Sequence, residues 1–129
     1  MNSTLAIRVA ALALAGVAAM AVAAPAVAGG GVDRRGSCSG HSEWRLKASS
    51  QDGRIEVEGK VHSNVGGQRW RWKMLHNGEV SARGKATTES GSGEFRVRRL
   101  MVNLSGQDHI GWRTRNPNTG EVCRGNLTF

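Results

Sequence analysis

From residue 43 onward, apolar and polar residues alternate with a period of two, in seven runs separated by clusters of Gly, Ser, Asn, Asp and Pro. Period two is the repeat of a strand with one buried face, and no stretch of a dozen residues carries the i, i+3, i+4 apolar spacing of a helix. Strands are expected over 43–48, with Trp44, Leu46 and Ala48 inward, and over 54–63, with Ile55, Val57, Gly59 and Val61 inward. The next two span 68–75, with Trp70, Trp72 and Met74 inward, and 79–87, with Val80, Ala82, Gly84 and Ala86 inward. Three more follow over 94–101, 108–116 and 121–129, turning in Phe95 and Val97, then Ile110, Trp112 and Thr114, then Cys123, Gly125, Leu127 and Phe129.

The requirement that paired strands share a buried face constrains the turns. A two-residue Asn77-Gly78 loop would put Trp70 and Trp72 on the face of Lys85 and Arg83 and bury two charges. A three-residue His76-Asn77-Gly78 loop with a bulge at Gly78 is therefore expected, setting Trp72 opposite Ala82 and Met74 opposite Val80. A four-residue turn over 117–120 pairs Trp112 with Gly125 and Ile110 with Leu127, so that an indole lies over a strand glycine. Leu100, Val102 and Leu104 have the opposite parity to Phe95 and Val97, which calls for a bulge near Arg98-Arg99 or an early strand end. Seven short strands with half-apolar faces can bury them only against one another. The expected fold is an all-β, seven-stranded, two-sheet antiparallel sandwich of the immunoglobulin or fibronectin type III kind.

Residues 1–28 have a different composition: Arg8, an almost unbroken Ala, Leu, Val, Gly and Met run, and Ala26-Val27-Ala28 as a small-x-small cleavage pattern. This reads as an export signal removed after Ala28, with no basic stop-transfer cluster behind it and hence no transmembrane anchor. Residues 29–37 are Gly-rich without apolar periodicity and read as a flexible leader, so the folded domain is expected over 38–129. An exported chain with two cysteines is expected to join them, and Cys38 and Cys123 are the only possible partners, tying the first element to the last strand.

The segments around Cys38-Ser39-Gly40 and Trp44-Arg45-Leu46, the tryptophan strand running into His76-Asn77-Gly78, and Asn116-Pro117-Asn118-Thr119-Gly120-Glu121-Val122-Cys123-Arg124 resemble small secreted proteins of high-GC Gram-positive (actinobacterial) bacteria. The resemblance covers nearly the whole mature chain. It implies the sandwich and the disulfide, and it implies no activity and no catalytic residues. The cysteines lie at the two ends of the domain rather than on the strands that carry the bridge of antibody domains, so that bridge is not transferred.

Catalytic chemistry finds no footing. Gly-x-Ser-x-Gly is absent and the serines lie in turn-rich loops. Glu56 and Glu58 sit two apart on an outward strand face among Arg and Lys, where both stay ionised. His41, His62, His76 and His109 are scattered singly without metal-ligand spacing, so no metal and no cofactor are expected. Gly91-Ser92-Gly93 lacks the lysine and following helix of a phosphate loop.

Charge does change the picture. The exported chain keeps 17 Lys and Arg against 10 Asp and Glu, a formal +7. In a fibronectin-like arrangement, the third, fourth, sixth and seventh predicted strands share a sheet. Its outward face gathers Arg69, Arg71, Lys73, Arg83, Lys85, Arg113, Arg115 and Arg124, with Glu79 and Glu121 as its only acids, near strand ends. The expected registers oppose Arg71 to Arg83, Arg69 to Lys85 and Arg113 to Arg124, and facing like charges destabilise a sheet. The other outward face mixes signs, with Glu56 and Glu58 among Arg45, Lys47, Lys60, Arg96 and Arg98.

The expected function is therefore non-enzymatic: a secreted module binding an anionic cell-wall polymer, an acidic polysaccharide or an extracellular protein through this face, in a salt-sensitive way. Nucleic acid ranks below these, because the tryptophans interleaved with arginines fall on the inward side of their strands and cannot stack on bases. The competing readings are a face that only solubilises the domain and guards its edges, and an inhibitor of an extracellular hydrolase acting through the loop at 88–93 or 102–108.

Overall fold

The computed structural model describes Gly16 and residues 30–129; apart from Gly16, the expected export signal lies outside the described residues. Eight strands and no helix are found among these residues: β1 (Val32–Ser37), β2 (Glu43–Gln51), β3 (Arg54–His62), β4 (Arg69–His76), β5 (Glu79–Thr87), β6 (Glu94–Val102), β7 (His109–Arg115) and β8 (Val122–Thr128). They form two antiparallel four-stranded sheets, ordered β1-β2-β3-β6 and β5-β4-β7-β8. The expected sandwich and division of strands between sheets hold. Cys38, just after β1, is bonded to Cys123 in β8, closing 85 residues of chain across the two sheets.

The eighth strand corrects the reading of residues 29–37 as a flexible leader. Val32–Ser37 pairs along β2 from Val32 opposite Ala48 to Ser37 opposite Glu43. The segment has little apolar periodicity because it caps a sheet edge: its backbone completes the hydrogen bonding of β2, Asp33 accepts from Arg45 Nε at 3.0 Å, and Gly36 leaves room for the Trp44 indole. The domain therefore begins at residue 32 rather than 38.

Two hairpins close more tightly than expected. The strand read as ending at 48 runs on to Gln51, and Asp52-Gly53, both at positive φ, makes the turn into β3. Asn77 and Gly78 are likewise both at positive φ and form a two-residue turn, with His76 opposite Glu79, not the three-residue loop. Such a turn has the right-handed twist of its strands. The parity conflict is resolved inside β5 instead, by a bulge between the Leu75–Val80 and Met74–Ala82 pairs that leaves Ser81 unopposed. Beyond it Trp72 faces Gly84 rather than Ala82, and Met74 faces Ala82 rather than Val80. Val80 is thereby turned outward, 40% exposed, rather than into the core.

The turn at 117–120 gives the expected register, Trp112 opposite Gly125 and Ile110 opposite Leu127. In β6 the expected bulge or early end is absent: pairing with β3 is regular from Glu94 to Val102. Arg99 consequently points to the inner side of this edge strand, its guanidinium 5.0 Å from the Trp72 ring centroid, while Leu100 and Val102 lie outward and exposed.

The core is built on indoles set against glycines. A Cβ on Gly59 would meet Trp112, one on Gly84 would meet Trp72, and one on Gly125 would meet Trp44. The indole over Gly125 is thus Trp44 from the opposite sheet, not its register neighbour Trp112. Trp72 and Trp112 stack at 6.1 Å between centroids, and Phe95 lies 6.2 Å from both Trp70 and Trp112. These rings, with Leu46, Ile55, Val57, Met74 and Ile110, fill the space between the sheets.

Candidate functional site

The outer face of the β5-β4-β7-β8 sheet carries all eight cations singled out in the sequence. The ladder sets Arg83 opposite Lys73, Lys73 opposite Arg113 and Arg113 opposite Arg124, a row of four cations crossing all four strands. Lys85, Arg71 and Arg115 make a second row, which ends on Val122, and Arg69 stands opposite Thr87 beyond it. Neighbours across strands are about 4.8 Å apart and the rows about 6.8 Å apart. Of the expected oppositions, Arg113 to Arg124 holds. Arg71 faces Lys85 rather than Arg83, and Arg69 faces Thr87 rather than Lys85, because the bulge at Ser81 moves the β4–β5 register by two residues while preserving the faces.

Both acids expected on this face are removed from it. The bulge inverts the start of β5: Val80, opposite Leu75, takes the outward side and Glu79, opposite His76, leaves it. Glu121 is drawn to the loop between β1 and β2, where its carboxylate accepts from Ser42 N at 3.0 Å and Ser42 Oγ at 2.6 Å. None of the eight cations makes an ion pair among the described residues, whereas Arg45–Asp33, Lys60–Glu94, Arg96–Glu94 and Arg98–Glu58 all lie on the outer face of the other sheet. Like charges facing each other cost up to about 1 kcal/mol per pair, so the rows reduce the stability of their sheet.

Arg113 sits inside the first row, partly buried. Its Nη1 donates to the carbonyls of Trp112 at 3.0 Å and Gly125 at 2.9 Å, and its Nη2 to Asn126 Oδ1 at 3.0 Å. Burial, and then the charge of Arg124, hold its pKa below the ordinary arginine value. Around it the cations line a shallow open depression of about 860 Å³, floored by Leu75, Gly84 and Val122. A second depression continues from Leu75 and Arg113 past Gly111 and Asn126 to Arg34. Arg34 belongs to β1, and reading its segment as a leader hid it. Trp72 lines the first depression but is buried, as are Trp70 and Trp112, Trp44 packs against the core, and the one exposed ring beside the second depression among the described residues is the His109 imidazole.

The remaining candidates are structural in position. His76 Nε2 is 2.6 Å from the buried carboxylate of Asp108, and Asn77 and His109 exchange hydrogen bonds, so the 76–78 turn is tied to the end of the 103–108 segment. In the other loop, Thr88 Oγ1 accepts from Gln68 N and donates to Val65 O. No group of three His, Cys, Asp or Glu among the described residues is arranged to hold a metal ion. No described helix is long and apolar enough to cross a membrane. Comparison of the chain with family models, with curated proteins and with solved structures returns no match.

Proposed function

We propose that the protein is a secreted, non-enzymatic binding module that docks an anionic polymer, a phosphate-bearing cell-wall polymer or an acidic polysaccharide, on the outer face of the β5-β4-β7-β8 sheet. The observation that carries this reading is two rows of cations on four adjacent strands with no acid between them. A face meant only to keep the domain soluble gains nothing from opposing like charges. The other sheet also sets Arg35, Arg45, Lys60 and Arg96 in one cross-strand row, but there Asp33 and Glu94 pair with three of the four and offset that cost. A polyanion converts the repulsion into attraction, and the counterions it releases make binding fall with salt. Export fits the disulfide, which persists in oxidising compartments.

The test is titration of the purified mature chain with dextran sulfate and with polyglutamate, beside a variant carrying Arg71→Ser, Arg83→Ser and Arg124→Ser. Wild-type affinity should fall steeply between 50 and 200 mM salt, by the order of a hundredfold or more if six cations are engaged. The variant should lose most of the binding while remaining folded and melting no lower than wild type, since each substitution relieves repulsion. A folded variant that binds equally well, or a wild type that binds neither polymer, overturns the proposal.

A further inference from the structure

We infer that Lys73, Arg113 and Arg124 form a subsite for a tetrahedral oxyanion with three terminal oxygens, a sulfate half-ester or a phosphate monoester borne by the polymer. The inference rests on the reading of this face as a polyanion dock and specifies which anion it is built to hold.

Arg113 is the fixed member. Three of its hydrogen bonds run to Trp112 O, Gly125 O and Asn126 Oδ1, two of them backbone carbonyls of the sheet itself. A guanidinium has five N–H donors, so about two remain for a ligand, held at one position before it arrives. Its cross-strand neighbours are Lys73 on β4 and Arg124 on β8. Both are exposed, and neither makes a side-chain hydrogen bond or ion pair among the described residues. Cβ atoms at such positions stand about 4.5–5.5 Å apart, close enough for the three charged groups to meet on one anion.

The number of acceptor oxygens then discriminates between anions. A carboxylate presents two oxygens in one plane, which a single guanidinium fork satisfies, and a phosphodiester presents only two non-bridging oxygens. A sulfate half-ester or phosphate monoester presents three, pointing in three directions, one for each of three cations on adjacent strands. With no exposed ring at the site for a base or sugar to stack on, recognition rests on the anion itself.

The experiment compares three dextrans matched for charge density, sulfated, phosphorylated as monoesters, and carboxymethylated, by calorimetric titration of the mature chain at fixed moderate salt. One additional charge-assisted hydrogen bond is about tenfold in affinity. The sulfated or the phosphorylated dextran, or both, should therefore bind about tenfold or more tightly than the carboxymethyl polymer, and their order identifies the source of the anion. Arg113→Lys keeps the charge but loses the three anchoring hydrogen bonds, so it should bind all three polymers near the carboxymethyl level. Arg96→Lys, on the outer face of the other sheet and outside the dock, should keep the preference. Equal wild-type affinity for all three polymers overturns the subsite while leaving the polyanion dock standing, and this comparison needs no variant to fold. A preference that survives in folded Arg113→Lys also overturns it. Failure of the wild type to bind any polymer removes the dock and the subsite together.

Discussion

Gly59→Ala is the substitution that most directly tests how the core is assembled. Gly59 lies on β3 between Leu46 of β2 and Val97 of β6, with no freedom to shift. A Cβ there would stand 2.5 Å from Trp112 Cε3, 2.6 Å from Cδ2 and 2.7 Å from Cζ3, inside any tolerable carbon–carbon contact. Trp112 is fully buried and held from its other sides by Trp72 and Phe95, so the ring cannot move away without displacing two more. Overpacking of this kind costs about 1–3 kcal/mol, and the rigid neighbour places this case at the top of the range. Removing a glycine from the unfolded chain returns about 0.5–1 kcal/mol. The net loss should be about 2 kcal/mol, or roughly 8–16 °C in melting temperature for a domain of this size.

The assay is thermal and urea unfolding of wild type, Gly59→Ala, Trp112→Phe and the double variant. Trp112→Phe alone removes packing volume and costs stability, offset in part because the Trp112 Nε1 donor is buried without a partner. In the double variant the smaller ring makes room for the new methyl, so the two losses should fall short of their sum by about 1 kcal/mol or more. A Gly59→Ala protein that melts with wild type, or two strictly additive losses, would refute the glycine–indole account.

Replacing Cys38 and Cys123 together by Ala frees a closure of 85 residues, worth about 4–5 kcal/mol in the chain-entropy account, and should lower the urea midpoint accordingly; an unchanged midpoint would contradict it. Asp33, held below the usual carboxylate range by its hydrogen bond from Arg45, and Glu94, held down chiefly by Lys60, bind fewer protons folded than unfolded. Their stabilisation is present above the unfolded carboxylate pKa near 4 and is lost as pH falls through the lower folded values. Both pairs are partly exposed, so the urea midpoint should fall only gently between pH about 5 and 2, and a midpoint that rises there would contradict the pairing.

Alternation along the chain was enough to determine most of the inward faces of the 43–129 segment, because a strand's period of two is a local property, but it failed at Val80, which the bulge turns outward, and at Arg99, which lies on the inner side of β6. It placed Trp70, Trp72 and Trp112 in the core and all eight cations on one outer face. Face parity with a four-residue turn was enough for the β7–β8 register, and the cysteine count was enough for the disulfide. Parity was not enough for the β4–β5 register. A bulge in the loop and a bulge at Ser81 satisfy it equally, and the preference of Asn77-Gly78 for a tightly twisted two-residue turn decides between them. β1 left almost no apolar signal, since a cap on a sheet edge is held mainly by backbone hydrogen bonds that any residue can make. The most consequential features depend on groups distant in sequence. Glu121 is drawn off the basic face by Ser42, Trp44, Trp72 and Trp112 each meet a glycine of another strand, and Arg113 is anchored by Gly125 and Asn126 of β8. Closure of the two sheets brings Ser42 to Glu121, Trp112 to Gly59 and Trp44 to Gly125, while strand pairing within the basic sheet fixes Arg113 and the β5 bulge removes Glu79.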